Sequence, residues 1–242
     1  MTPSGQVFRS HKIALYDGAL RFVDDQLKRF ATALGAAKLR SNTVFAIASD
    51  HGEAFWEHAT FEQRVHLDPR GVGGIGHGHS LFRELLDVPL ILAGPGVPRQ
   101  RVATPVRNLD LAPTLLGLVG APPLPDARGI DLVRALAEQR LPSLLAFSEN
   151  IAYGPEARSL TGERYKLIRY LASREGPIEI WLDLAADPSE RPQLGVAADD
   201  EARYLRDQLA AIEATLVPDV EHEPAAIDAE TERALRALGY GH

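Results

Sequence analysis

Thr43-Val-Phe-Ala-Ile-Ala-Ser49-Asp50-His51-Gly52-Glu53 decides how the rest of the chain is read. A short apolar run with β-branched and aromatic members ends abruptly in a serine, an acid, an imidazole and a glycine. The pattern is that of a buried strand whose carboxyl end delivers an oxygen donor and a nitrogen donor to one place. Neighbouring residues of a regular strand point to opposite faces, so Asp50 and His51 reach one ion only if the strand ends and turns there. Gly52 tolerates the backbone angles such a turn uses. The competing reading is a strand-to-loop junction in which Asp50 caps the next segment and His51 is merely exposed.

Composition narrows the chemistry. The 242 residues are 45% hydrophobic and 24% charged, enough for one large domain with a sizeable core. A formal net charge of -7 argues against nucleic acid as a partner. The most apolar window, Leu85 to Ala93, is interrupted by Asp87 and Pro89, so no membrane segment is expected. Met1 to Gln6 has no basic stretch leading into an apolar one, and the expectation is a chain without a signal peptide, cytoplasmic as it stands. There is no cysteine, which removes disulfides, thiolate ligands and a cysteine nucleophile together. A metal would be held by carboxylates, imidazoles or amides, donors that suit calcium, magnesium, manganese or zinc.

Outward from the strand, Tyr16, Leu20, Val23, Leu27, Phe30 and Leu34 form the stripe of an amphipathic helix that Gly35 ends. Asp24-Asp25 lies outside that stripe and reads as solvated charge. Residues 53–78 lack periodicity and read as a long loop containing His58 and His66. Gly71 to Gly76 fits G-x-G-x-x-G but follows Asp68-Pro69-Arg70 rather than a strand, so a dinucleotide site is not expected. His77 and His79 stand at the start of a short helical stretch running to Leu86. A helix N-terminus attracts anions, and two imidazoles beside it suit a phosphate or sulfate oxygen; the plain reading is surface histidines on a loop. A strand over 88–92 and helices over 110–119 and 131–139 follow. From Ser143 the pattern changes to short strands at 144–148, 165–170 and 178–182, a small antiparallel sheet, then helices marked by Leu205 to Leu216 and by Glu230 to Leu238. The expected organisation is an α/β part over residues 1–142 and a small α+β subdomain over 143–242.

These motifs, in this order, resemble the sulfatase family of the alkaline-phosphatase superfamily. The resemblance is carried by Tyr16-Asp17 with Val23-Asp24, by Ser49 to Glu53 with Glu57-His58, and by His77 to Phe82 followed by Val88-Pro89-Leu90-Ile91 and Gly94-Pro95-Gly96. It continues through Val106 and Asp110 to Leu115, Asp183-Leu184 with Asp187-Pro188-Ser189-Glu190, and an "LxxLGY"-like ending from Leu235 to Tyr240. It implies a doubly wound alkaline-phosphatase-like sheet, here partial, followed by a smaller carboxyl-terminal subdomain. It also implies a metal-dependent hydrolase of sulfate esters. Asp50 and His51 match ligands of a divalent cation, calcium favoured over Mn2+, Mg2+ or Zn2+. His79 matches a residue beside the anionic ester group, and His77, offset by one position, a substrate-contacting side chain.

The departures are equally specific. The family's C/S-x-P-x-R nucleophile motif is absent from these residues, as is an early strand ending in paired aspartates. Leu182 stands where the late signature usually has tyrosine. The expectation is therefore the carboxyl-terminal half of a sulfatase, truncated or split, with a complementing amino-terminal half or an oligomer as partner. The anionic ester is expected to bind a wall of the site only. A phosphoesterase or phosphonate monoester hydrolase of the same superfamily, and a non-catalytic binding module, are the alternatives.

Overall fold

Helix α1 (Pro3–Ala36) is longer than its apolar stripe requires, and most of that stripe faces outward. Val7, Phe8, Leu15, Leu20, Phe22, Val23 and Phe30 are all exposed. Three ring contacts tether the helix instead: Phe8 with Trp56, Tyr16 with Phe55 and Phe30 with Phe45, at 5.8, 5.3 and 5.9 Å between centroids. The computed structural model describes residues 3–149, 151–174, 176–192, 199–216 and 228–237. The chain divides into two compact units, Met1–Leu209 and Ala210–His242.

Beyond α1 the first unit runs β1 (Phe45–Ala48), β2 (Ala54–Phe55), α2 (Ala59–Val65), β3 (Ile75–Gly76), α3 (Arg83–Leu86), β4 (Leu90–Ala93), α4 (Leu111–Val119), α5 (Leu132–Ala137) and β5 (Ala146–Glu149). It continues with β6 (Ala157–Thr161), β7 (Tyr165–Tyr170), β8 (Ile178–Asp183) and α6 (Asp200–Glu213), whose last residues belong to the second unit. The second unit holds α7 (Ala229–Ala237), begun by Asp228, whose carboxylate accepts the N–H groups of Glu230 and Thr231. The Leu235–Tyr240 ending runs beyond Ala237 and lies partly outside the described residues, as do His222 and His242.

β1 pairs antiparallel with β4, Phe45 opposite Ala93 and Ala48 opposite Leu90. Its residues alternate between half-buried and exposed, so it is a strand open on one face, not the fully buried strand its apolar run suggests. The stretch 53–78 is not a structureless loop. It folds as β2, α2 and β3, and β2 and β3 close on each other with Ala54 opposite Gly76. Nor does His77 open a helix: α3 begins only at Arg83 and has four residues, so no helix N-terminus stands beside the imidazoles.

The four-stranded antiparallel sheet β5-β6-β7-β8 organises the core. One face of β7 and β8 presents Ile168, Tyr170, Ile180 and Leu182 to Val65, Leu81, Phe82 and Ile151. Leu167 and Trp181, paired in register, point the other way. There Arg206 of α6 stacks on Trp181 at 5.0 Å and meets Glu179 at 3.2 Å. β6 is the strand that alternation missed: Ala157-Arg-Ser-Leu-Thr161 mixes small and polar residues, and its place is set by partners on both sides.

An ion pair interrupts the apolar face. Lys166 of β7 reaches Glu190 with Nζ at 3.0 and 3.1 Å from the two carboxylate oxygens, both side chains buried. Burial pulls the Lys166 pKa down, against the pull of Glu190. Glu190 also accepts the N–H of Arg83 at 2.8 Å, and its own carbonyl accepts from Nε2 of His58 at 3.0 Å. Nδ1 of His58 donates to Glu84 at 2.7 Å, so both ring nitrogens face acceptors, as only an imidazolium allows. The His58 pKa is accordingly raised: burial opposes the charge, and Glu84 and Glu190 override it. The ring lies flat on Phe82, 3.9 Å between centroids and 9° apart.

Removing one partner of such a pair leaves a buried charge alone, at a cost of about 3–5 kcal/mol. Lys166→Met and Glu190→Gln should each lower the unfolding free energy measured in urea by that order, and the double variant should lose less than the sum. Additive losses would mean the pair is not coupled. On α1, replacing Phe22 and Val23 with lysine should reduce dye binding to exposed apolar surface and light scattering, with the far-ultraviolet spectrum kept. Unchanged scattering would show that this face plays no part in self-association.

Candidate functional site

The carboxyl end of β1 is built from backbone contacts. The Ser49 hydroxyl donates to the His51 carbonyl at 2.7 Å, and Asn108 donates to the Ser49 carbonyl at 3.0 Å. The N–H of Gly52 donates to the Leu85 carbonyl at 2.8 Å, and a Cβ on Gly52 would run into the carbonyl of Glu84. Glycine is required here by that close approach rather than by an unusual φ. The turn so made brings a donor atom of His51 to within 4.8 Å of one from Glu53, with Asp50 Oδ1 3.8 Å from His51 Nε2.

Asp50 is 77% exposed and its Oδ1 accepts the N–H of His51 at 3.0 Å. Its pKa is lowered: slight burial works against the charge, but backbone N–H groups, His51 and Ser49 outweigh it. Nδ1 of His51 lies 2.7 Å from the Gly52 carbonyl, an acceptor, so Nδ1 carries a proton and Nε2 is the nitrogen turned toward Asp50. Nε2 faces Asp50 Oδ1 at 3.8 Å. Two acceptors converging at that distance fit a cation between them, and the residues present therefore suit a divalent ion.

The β2–β3 register completes the arrangement. With Ala54 opposite Gly76, Glu53 and His77 stand opposite each other, and His77 Nδ1 lies 3.0 Å from Glu53 Oε2. The His77 ring stacks on His51 at 3.9 Å and 25°. One donor atom each from His51, Glu53 and His77 lies within 4.8 Å of the others. Glu53 went unread as a site residue because nothing in its neighbours announces a two-residue strand; the opposing glycine-rich stretch was the only hint.

His79 is placed differently. It is 1% exposed and not a member of that cluster. Arg70, a donor only, approaches Nδ1 at 3.3 Å, which puts the ring proton on Nε2, facing Glu62 at 3.5 Å. Burial, with the Arg70 charge adding to it, keeps the His79 pKa low, so this ring is neutral. Arg70 is held by both oxygens of Asp68, lies over the Tyr153 ring at 4.1 Å and donates to the His77 carbonyl at 3.2 Å. His66 donates to the His79 carbonyl at 3.2 Å, so His58 and His66 are both buried framework, and His11 is exposed. Glu62, buried beside Ser80, His79 and Tyr170, has its pKa pushed up to about 7 by that burial.

Comparison with known proteins now has a geometry to be read against. The family model described as "Sulfatase" matches residues 2–121. A Delta 4,5-hexuronate-2-O-sulfatase from Bacteroides thetaiotaomicron is 29% identical over 196 residues, covering 76% of this chain and 37% of that protein. A solved sulfatase-family structure from the same organism superposes with a TM-score of 0.65 at 26% identity, over 85% of this chain and 43% of that one. A phosphonate monoester hydrolase from Silicibacter pomeroyi shares the fold, with a TM-score of 0.58 at 20% identity, over 86% of this chain and 42% of its own. The chain belongs to the sulfatase family, and its fold is the partial alkaline-phosphatase-like α/β architecture that its motifs imply. It spans well under half the length of these relatives. Among the described residues no helix is long and apolar enough to cross a membrane.

The buried Glu62 has a measurable signature. With its pKa raised from 4.5 to about 7, the folded state holds a proton that the unfolded chain gives up. Its stabilising contribution is full below pH 4.5 and is lost as the pH rises through 7. Urea unfolding across this range should therefore show stability falling toward higher pH, and Glu62→Gln should flatten that fall. An unchanged slope in the variant would assign the dependence elsewhere.

Proposed function

We propose that this chain provides the metal-holding and anion-facing wall of a sulfate-ester hydrolase site. The observation that carries the reading is the convergence of Asp50 Oδ1 and His51 Nε2, 3.8 Å apart at the end of β1, in a chain matched by the sulfatase model. Asp50 and His51 hold a divalent cation, and when bound that ion supplies Lewis-acid stabilisation of charge on the ester. His77, its ring anchored by Glu53 and by stacking on His51, is the imidazole that meets the anionic group or the leaving oxygen. His79 acts as a positioning residue: it holds Arg70, which in turn holds the His77 backbone. Residues 1–142 form the part bearing this wall and 143–242 a smaller carboxyl-terminal subdomain. The substrate is a sulfate ester, and the nucleophile comes from a C/S-x-P-x-R segment outside these 242 residues.

Turnover of an aryl sulfate by this chain, co-produced with a segment bearing that motif, tests the reading. Activity should need both parts and should fall at least about a hundredfold in Asp50→Asn or His51→Ala, in keeping with the several kcal/mol a metal supplies. Faster turnover of a phosphate or phosphonate ester would move the assignment to the phosphonate-hydrolase branch of the superfamily. Sulfate turnover unaffected by either substitution would refute the role given to Asp50 and His51.

A further inference from the structure

Arginines gather in one place on a chain that is acidic as a whole. A cavity of about 800 Å3 opens between the amino-terminal part of α1, α2, the head of α3 and the loop after Pro188. Arg9, Arg64, Arg83 and Arg191 line it, with Trp56 and Phe61. Its carboxylates are fewer: Glu57 pairs with Arg9 at 3.2 Å and Glu84 with His58 at 2.7 Å. Asp87 and Asp187, which pair with Arg83 and Arg191, are not part of the lining. The lining therefore keeps a positive excess in a chain of net charge -7. It shares no residue with the group of Asp50, His51, Glu53 and His77.

The backbone is shaped to bring these groups together. Thr60 and Arg64, one turn apart on α2, share a face of that helix. Trp56 takes φ 68°, a conformation a bulky side chain keeps only when its surroundings hold it there, and such residues gather at ligand sites. Its N–H donates to the Gly74 carbonyl at 2.6 Å, and its indole meets Phe8 at 5.8 Å. We propose that this cavity binds an anionic saccharide. Guanidinium forks take sulfate or carboxylate oxygens two at a time. Aromatic rings offer flat faces to the apolar side of a sugar ring, and the volume is that of a small-molecule site. Glu57, with the hydroxyls of Thr60 and Ser189, adds acceptors that sugar hydroxyls can use. To an acidic peptide Glu57 would present only a like charge.

Calorimetric titration of the chain with a sulfated disaccharide, with tryptophan emission followed alongside, tests this. Of the two tryptophans Trp181 is buried, so Trp56 is the reporter and Trp56→Phe should abolish the emission change. The desulfated disaccharide, inorganic sulfate and a hexaglutamate peptide are the comparison probes, and circular dichroism is the folding control. The sulfated disaccharide should bind once per chain, at least about tenfold more tightly than any comparison probe. Arg64→Ala with Arg191→Ala should weaken it at least about tenfold, and lysine at both positions by less, whereas Asp50→Asn should leave it unchanged. Binding lost in Asp50→Asn and kept in the arginine variants would overturn the cavity assignment while sparing the metal-holding wall. Sulfate or hexaglutamate binding as tightly as the disaccharide, or no binding at all, would also overturn it. So would an emission that stops responding once a C/S-x-P-x-R segment is co-produced with the chain, since the cavity would then be an interface.

Discussion

The contact on which the first unit depends is the buried pair of Lys166 and Glu190. A charge inside an apolar core is tolerated only when its partner and the remaining hydrogen bonds are supplied together. Here Glu190 receives Lys166 from the sheet, the Arg83 N–H from the head of α3, and the His58 ring from the start of α2. One carboxylate and its carbonyl thus bind three elements that share no secondary structure. The loop that delivers it is shaped for the purpose: the Asp187 carboxylate accepts the N–H groups of Ser189 and Arg191, and Glu190 itself adopts φ 55°. Within the Asp187-Pro188-Ser189-Glu190 signature, the aspartate makes the turn and the glutamate closes the core.

The same logic, acceptors brought together and left for a cation, operates at the other end of the unit. At Lys166 the cation is a side chain and the site is sealed. At the end of β1 Asp50 and His51 Nε2 face each other, Asp50 exposed and His51 half-buried, and among the described residues no lysine or arginine pairs with Asp50. The two places differ in accessibility more than in chemistry. A buried acceptor such as Glu190 has its counter-charge within the fold, whereas an exposed one such as Asp50 is open to solution.

Legibility from sequence followed how local each cause was. β7 was bounded correctly at 165–170 because its residues are β-formers between turn residues, and α4 because Gly120 closes it at φ 66°. Asp50 and His51 could be named as candidates because an apolar strand runs directly into Ser-Asp-His-Gly. β6 was not, since Arg158 and Ser159 give no alternation and only flanking strands decide its state. β2 and β3, two residues each, are invisible to any periodicity, and with them went Glu53 and the long-range reason for His77. The stripe on α1 was read correctly as periodic, but periodicity does not say whether a surface is covered. His58, which the sequence leaves in an aperiodic stretch, is a core imidazolium whose partners Glu84 and Glu190 lie 26 and 132 positions away in the chain.

That last separation orders events in time. The ribosome releases His58, Glu84 and Lys166 well before Glu190, and none of the three finds its full set of partners in the interval. A lone ammonium or imidazolium does not stay in a dry interior, so the sheet face of β7 and the head of α3 remain solvated until residue 190 emerges. The core of this unit is thus closed by a residue 132 positions after His58 in the chain.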